Sequence, residues 1–444
     1  MTTNQTLFRQ LVDTGALDER LRVFKTEGRP PKEIYSILYN EAATQAAEAF
    51  SAIHARWPWE GRVSQEASAL LTELDPLVKD VQRIAGAMAG VGAFTKIPNL
   101  AIGPKAIEKA VSGEVPKGDT LRGKGVPFEA VPVVHPNVTL VFSDRHYVKT
   151  VEGYLLGLKA RVNVLKNQGV SAEAIHQDIS RITSVNSLFV SRVDRVADPM
   201  IEEQMKKAAA QRDRLALLKG KVAVAQAKKI YQMFEAIFLG VPFEDPLGLY
   251  ADGEGKGLVG TLARLRELYA ELKKLGAKPQ RLLIASSGVK SEQPYSPLLY
   301  ALPFLGPWSA NTLPETTLEA LSRFVAGLTD EEATYLKRRN LMREPLPAIP
   351  TDSGKSSPTA DKGGFRADNA WDQAILTTSN ERRAQGIGEV TADQILRDVH
   401  EIVFKSQGTS LRQICDTLRD KGAAAFTADE QATLAAIQTK LQAL

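Results

Sequence analysis

From about residue 61 the chain repeats one pattern: a short β-like run followed by a long stretch with apolar residues at helical spacing. The runs are "GRVSQEA", "AFTKIPN", "NVTLVFS", "SVNSLFVSRV", "QRLLIASS" and "WSANTLP". Between and after them lie "PKAIEKAVSG", "DRHYVKTVEGYLLGLKARVNVLKNQG", "KVAVAQAKKIYQMFEAIF" and "ETTLEALSRFVAG". A helix between two strands carries the chain back to the end where the first strand began, so successive strands run parallel. The pattern therefore predicts an α/β fold with six parallel strands, either open and doubly wound or closed as a barrel.

The flanks differ. "TLFRQLV", "LDERLRVF" and "PPKEIYSILYNEAATQAAEAFSAIHARW" read as helices ahead of the first strand. Residues 343–392, beginning "REPLPAIPTDSGKSSPTADKGGFRADN", are rich in Pro, Ser, Gly and Asp and lack either period, so they read as a loop or linker. Then "TADQILRDVHEIVF", "SLRQICDTLRDKG" and "TADEQATLAAIQTKLQAL" read as separate amphipathic helices with Ser or Thr caps. The expected organisation is thus 1–342, the helical N-terminus with the strand–helix body; 343–392, the loop or linker; and 393–444, helices packing on the body.

Composition excludes several classes. Of the 444 residues, 43% are hydrophobic and 24% charged, which suits a soluble globular chain. A net charge of +4, dispersed along the chain, argues against a nucleic-acid partner. The lone Cys415 excludes an internal disulfide and falls at an apolar helical position, as a buried structural thiol would. His54, His135, His146, His176 and His400 form no ligand spacing, so no metal is expected. "MTTNQTLFRQLVDTG" has no apolar signal core, and "IAGAMAGVGAF" is too short for a membrane span, so a cytoplasmic location is expected without a membrane partner. Gly255, Gly257 and Gly260 in "GEGKGLVG" have dinucleotide-site spacing, but no strand precedes them, and a loop opening a helix is expected instead. "KSSPTADK" matches a phosphorylation site only as Ser-rich loops commonly do.

The informative feature is where polar residues interrupt the apolar strands. Glu66, Lys96, Asn137 with Thr139, Ser187 with Arg192, and Ser286 with Lys290 fall on five successive strands or just beyond them. Each taken singly fits a satisfied core hydrogen-bonder. Together they comprise a carboxylate, an amine in an apolar strand and an anion-binding group. A desolvated Lys96 supplies the uncharged amine that attacks a ketone, and Glu66 moves protons during carbinolamine formation and dehydration. Arg192 offers a planar fork for phosphate, with serine and lysine assisting.

"NVTLVFSDRHY", "SVNSLFVSRVD", "IASSGVKSEQPYS" and "LGPWSANTLPETTLEAL" resemble the transaldolase family in its longer bacterial form. So do "LDERLRVFKTEGRPPKEIY" and "CDTLRDKGAAAFTADEQATLAAIQTKL". The resemblance implies a TIM-type barrel that transfers a dihydroxyacetone unit between sugar phosphates in the pentose phosphate pathway, without metal or organic cofactor. The substrates it implies are fructose 6-phosphate, sedoheptulose 7-phosphate, glyceraldehyde 3-phosphate and erythrose 4-phosphate. By position, Lys96 matches the Schiff-base lysine, Glu66 the acid orienting a catalytic water, and Thr139 its partner. Asn137 matches a ligand of substrate hydroxyls, Ser187 and Arg192 match positions around the substrate with the arginine as phosphate clamp, and Ser286 and Lys290 match further phosphate contacts.

The chain departs from the family at its start. The family's first two strands carry an acid–base aspartate and an asparagine in a Ser-Asn-Pro turn; neither strand is found here, and Asp13 and Asp18 lie in helical patterns. The expected architecture is accordingly a barrel incomplete or remodelled at its N-terminus, alone, as a homo-oligomer or with a partner chain. The expectations for function are a transaldolase, an aldolase releasing free dihydroxyacetone, or an impaired or inactive relative that binds sugar phosphates or serves as a structural subunit.

Overall fold

The computed structural model describes residues 5–56, 61–89, 93–98, 102–113, 133–245, 257–290, 294–351 and 370–444. Six strands form one parallel sheet: β1 Ser64–Glu66, β2 Phe94–Pro98, β3 Pro136–Val141, β4 Ser184–Phe189, β5 Gln280–Ala285 and β6 Ser309–Asn311. Their spatial order follows the chain, each strand pairing with the one before it. Of the two arrangements that the alternation leaves open, a sequential order fits the barrel, which is the one the resemblance implies. Among the described residues β1 and β6 do not pair, so these six strands do not close a ring.

Local chemistry sets the elements. β2, β3 and β4 are buried along their whole length, as parallel strands covered on both faces must be. After β3, Ser143 caps the helix Asp144–Asn167 by accepting from the His146 N–H. The helix Val222–Phe234 is buried on nearly every side, its polar Gln226, Lys228 and Lys229 included. Helix Pro31–Ala49 packs beside β1, where Gln65 donates to Asn40. Gly257, at φ +47°, opens the helix Gly257–Lys273, in keeping with a loop-opening glycine; Gly255 lies outside the described residues. Cys415 is buried with its sulfur 3.2 Å from the Phe142 carbonyl, and burial pushes its thiol up to about 12. No helix among the described residues is long and apolar enough to cross a membrane.

Two segments differ from the sequence reading. Within 343–392 the described residues are ordered rather than linker-like: β7 Leu346–Pro347 pairs antiparallel with β8 Glu389–Val390, and helices Ala370–Leu376 and Ser379–Ala384 lie between them. Trp371 and Arg382 are fully buried, and the Arg382 guanidinium donates to the Ala374 and Thr377 carbonyls at 2.8 and 2.9 Å. Short elements tied by such contacts leave no periodicity to read. "KSSPTADK" lies outside the described residues.

The other difference is at the C-terminus, where the last two expected helices are one 33-residue helix, Leu411–Ala443. The apparent break at "DKGAAAFTADE" contains a cap-like Thr427 and Glu430, but these side chains bond to the loop after β1 instead of ending a helix.

His135, just before β3, accepts from the Thr183 N–H at 3.2 Å. Burial, with the charges of Arg62, His54 and Arg181, lowers its pKa to about 3. The unfolded chain binds a proton below about pH 6.5 that the folded chain refuses, so this contribution is complete above that pH and is lost as pH falls towards 3. Melting temperature should therefore drop between pH 7 and pH 5, and His135→Gln should flatten that slope in thermal melts.

Candidate active site

The register of the sheet assembles the first cluster. Glu66 on β1 stands opposite Lys96 on β2, which stands opposite Asn137 on β3. Residues in register on neighbouring parallel strands project to one face. Lys96 and Glu66, both buried, form a direct ion pair between Nζ and Oε1. The sequence predicts an apolar setting for Lys96, and the structure adds a carboxylate partner within it.

A polar layer lies beside this pair. Ser187 Oγ donates to Asn137 Oδ1 at 2.6 Å, and Asn137 Nδ2 donates to Ser64 Oγ at 2.9 Å. Ser64 escaped the sequence reading because a serine at the start of a three-residue strand carries no distinguishing pattern. Glu66 Oε2 and Thr139 Oγ1 are buried, and no protein group among the described residues bonds to either. Buried polar atoms ordinarily have a partner, so these two carry hydrogen-bonding capacity suited to a water or a substrate hydroxyl. Thr139 falls within a register shift between Val138 and Val141, where Leu140 takes φ +61°. Such a bulge re-aims side chains and is common beside active sites.

The second cluster lies at the ends of β4 and β5. Arg192 is in the first turn of helix Ser191–Lys207, not on the strand, and its guanidinium stacks over the Phe189 ring at 5.2 Å. Burial, reinforced by Arg195, holds it below the usual arginine range, and no carboxylate pairs with it among the described residues. The Ser191 N–H donates to the Ser286 carbonyl at 3.1 Å, and their hydroxyl oxygens are also 3.1 Å apart. Ser286 has φ +53°, a conformation that costs a non-glycine residue energy and clusters at functional sites. Lys290 lies beyond it with an exposed side chain.

Buried carboxylates hold this corner in place. Asp194 accepts from the Ala223 N–H and the Tyr300 hydroxyl, each at 2.9 Å. Asp198 accepts from the Gly220 N–H at 2.9 Å and the Tyr295 hydroxyl at 2.7 Å. Burial pushes Asp194 well above the usual carboxylate range and Asp198 up to about 6. They bind the helix bearing Arg192 to the segment that follows Ser286. The sequence reading expects helices at the C-terminus but gives them no place at the site; the Phe426 ring centre, on the C-terminal helix, stands 5.9 Å from Lys96 Nζ.

A buried amine–carboxylate pair, with an arginine that no carboxylate among the described residues pairs with, can join proton transfer at a nucleophile to anion binding. The family model described as transaldolase/fructose-6-phosphate aldolase matches residues 1–345. Transaldolase 2 of Streptomyces coelicolor is 26% identical over 385 residues, covering 86% of this chain and 87% of the relative. The transaldolases of Trichodesmium erythraeum and Renibacterium salmoninarum are each 28% identical, covering 72% of this chain and 70% of theirs.

Removing one member of a buried pair strands the other charge, which typically costs about 3–5 kcal/mol. Lys96→Met and Glu66→Leu should each lower stability by about that much. The double variant should recover most of the loss, as measured by denaturant unfolding in a double-mutant cycle.

Proposed function

The chain belongs to the transaldolase/fructose-6-phosphate aldolase family, and from that premise we propose that it transfers a dihydroxyacetone unit between sugar phosphates through a Schiff base on Lys96. The observation that carries the reading is the buried Lys96–Glu66 pair on adjacent strands. Glu66 takes a proton from Lys96, and the freed amine adds to the C2 ketone of a ketose phosphate such as fructose 6-phosphate. Proton return to the departing oxygen expels water and leaves the protonated imine. The imine draws in the electrons of the C3–C4 bond as the C4 hydroxyl loses its proton, and an aldose phosphate departs. The remaining enamine adds to an acceptor aldehyde, and water then hydrolyses the imine to free Lys96.

Other residues have supporting parts in this reading. Glu66 and Thr139, each with an unsatisfied buried oxygen, hold the water that dehydration expels and hydrolysis consumes. Asn137 and Ser187 contact the substrate hydroxyls. Arg192 holds the phosphate with Ser286, and Lys290 adds a basic contact. The substrate set follows as fructose 6-phosphate, sedoheptulose 7-phosphate, glyceraldehyde 3-phosphate and erythrose 4-phosphate, in a cytoplasmic protein working alone, as a homo-oligomer or with a partner chain.

A second reading is a relative that binds sugar phosphates and forms the imine without completing transfer. One observation favours it: among the described residues no strand precedes β1, and no strand-borne aspartate is present to take the C4 hydroxyl proton. Borohydride trapping with fructose 6-phosphate, read by intact mass and peptide mapping, separates the two. The expected result is an adduct on Lys96, absent from Lys96→Met, with turnover that requires an aldose phosphate acceptor. An adduct without transfer supports the second reading, and free dihydroxyacetone without acceptor indicates an aldolase. A folded protein that forms no adduct would overturn the Schiff base itself.

Arg192→Ala removes charge-assisted hydrogen bonds to the phosphate. It should raise KM for fructose 6-phosphate by about 10–100-fold. Affinity for unphosphorylated dihydroxyacetone, measured by the same trapping, should be unchanged; an equal loss would refute the phosphate assignment.

A further inference from the structure

The helix Leu411–Ala443 lies beyond the residues matched by the family model, yet one of its faces runs along the site. Gly422, Phe426 and Glu430 are spaced four residues apart and so share that face. Gly422 is buried where the helix crosses β3: a methyl group there would stand 2.7 Å from Leu140 Cδ2 and 3.5 Å from Arg192 Nη1. A side chain here would force the end of the Leu140 side chain, or the helix, to shift. One turn on, Phe426 presents its ring to Lys96 Nζ at 5.9 Å, within the range of a cation–π contact. One turn further, the buried Glu430 accepts from Ser68 Oγ at 2.6 Å and the Ala69 N–H at 2.7 Å, in the loop directly after Glu66. Thr427 donates to the Ala69 carbonyl at 3.2 Å.

We propose that this helix face is a wall of the active site, and that Phe426 is a positioning residue whose ring stabilises positive charge on the Lys96 nitrogen. The inference rests on the Schiff-base reading above. In the protonated imine, the nitrogen that Phe426 faces carries the charge that makes it an electron sink. The ring's negative π face attracts that charge without offering a base or a hydrogen bond that would compete with Glu66. Apolar cover on the helix side also shields the nitrogen from bulk solvent, which strengthens the electrostatic interaction and leaves the Glu66 side to the catalytic water. Gly422 sets how closely the helix approaches, and Glu430 sets its register against the loop that follows Glu66. The two anchors lie one turn on either side of Phe426, so the ring is held from both directions.

The test compares the full-length protein with Phe426→Leu, which keeps an apolar side chain, and Phe426→Tyr, which keeps the π face. Three quantities are read: the fraction of chains trapped by borohydride at saturating fructose 6-phosphate, kcat and KM, with circular dichroism confirming the fold. The leucine variant should lose about 3–10-fold in kcat and trap a smaller fraction, with KM within about twofold of the parent. The tyrosine variant should return both quantities to within about twofold of the parent. Gly422→Ala, which leaves Lys96, Glu66 and Phe426 intact, should lower the trapped fraction in the same direction by lifting the helix off Leu140. A leucine variant that matches the parent, a tyrosine variant as impaired as leucine, or an unchanged Gly422→Ala would each overturn the inference. If the parent itself forms no Lys96 adduct, the failure lies in the Schiff-base reading; a parent adduct with indifferent Phe426 variants sinks this inference alone.

Discussion

The ion pair between Lys96 and Glu66 is the constraint around which the site is organised. Taking two charges out of water costs several kcal/mol per ion, and the loss is offset only when the partners are held in good geometry with their surroundings satisfied. Two adjacent strands in register supply that geometry directly, because residues opposite each other project to the same face. The Ser64–Asn137–Ser187 bonds tie β1, β3 and β4 together beside the pair. Polar groups thus occupy a sheet interior that would otherwise be apolar. A lysine held against a carboxylate also has a recipient for its proton beside it.

The corner around Arg192 and Ser286 is held by different means. Ser286 and Leu140 sit in left-handed backbone conformations that cost energy unless the surrounding structure imposes them. At Ser286 the backbone bond from Ser191 and the carboxylates of Asp194 and Asp198 supply that restraint. Tyr295 and Tyr300 donate to those carboxylates, so the segment after β5 cannot move independently of the helix that carries Arg192. Arg192 itself rests on the Phe189 ring, which fixes the plane of the guanidinium without giving it an anion of its own.

The periphery shows how buried lysines can serve docking rather than catalysis. Lys221 donates to the carbonyls of Pro347 and Ile349 at 3.2 and 2.6 Å, and Lys228 to those of Leu341 and Glu344. Lys229 reaches the Glu244 carbonyl at 3.1 Å and Asp393 at 2.9 Å. Burial brings Lys228 down to about 7. These side chains fasten the segment around β7 and the start of the C-terminal region to the buried helix Val222–Phe234. A perturbed lysine is therefore not enough to identify a nucleophile here. Lys96 differs in facing a carboxylate in register within the sheet, one whose second oxygen has no partner among the described residues.

The alternation of short apolar runs with amphipathic helices was enough to determine six parallel strands, because period and length are properties of local sequence. The polar residues on those strands likewise exposed Glu66, Lys96, Asn137, Thr139 and Ser187, since a polar group in a buried strand stands out against its neighbours. Three matters needed the tertiary structure. Whether Lys96 meets a carboxylate depends on register between strands 30 residues apart, which no local pattern encodes. The elements within 343–392 depend on Arg382 and on lysines more than a hundred residues away, so their segment looks aperiodic. The continuity of the last helix through "DKGAAAFTADE" arises because Gly422, Thr427 and Glu430 are engaged by β3 and by the loop after β1. Local sequence sets which residues can form a strand or a helix; only the packed fold decides which distant atoms those residues must satisfy.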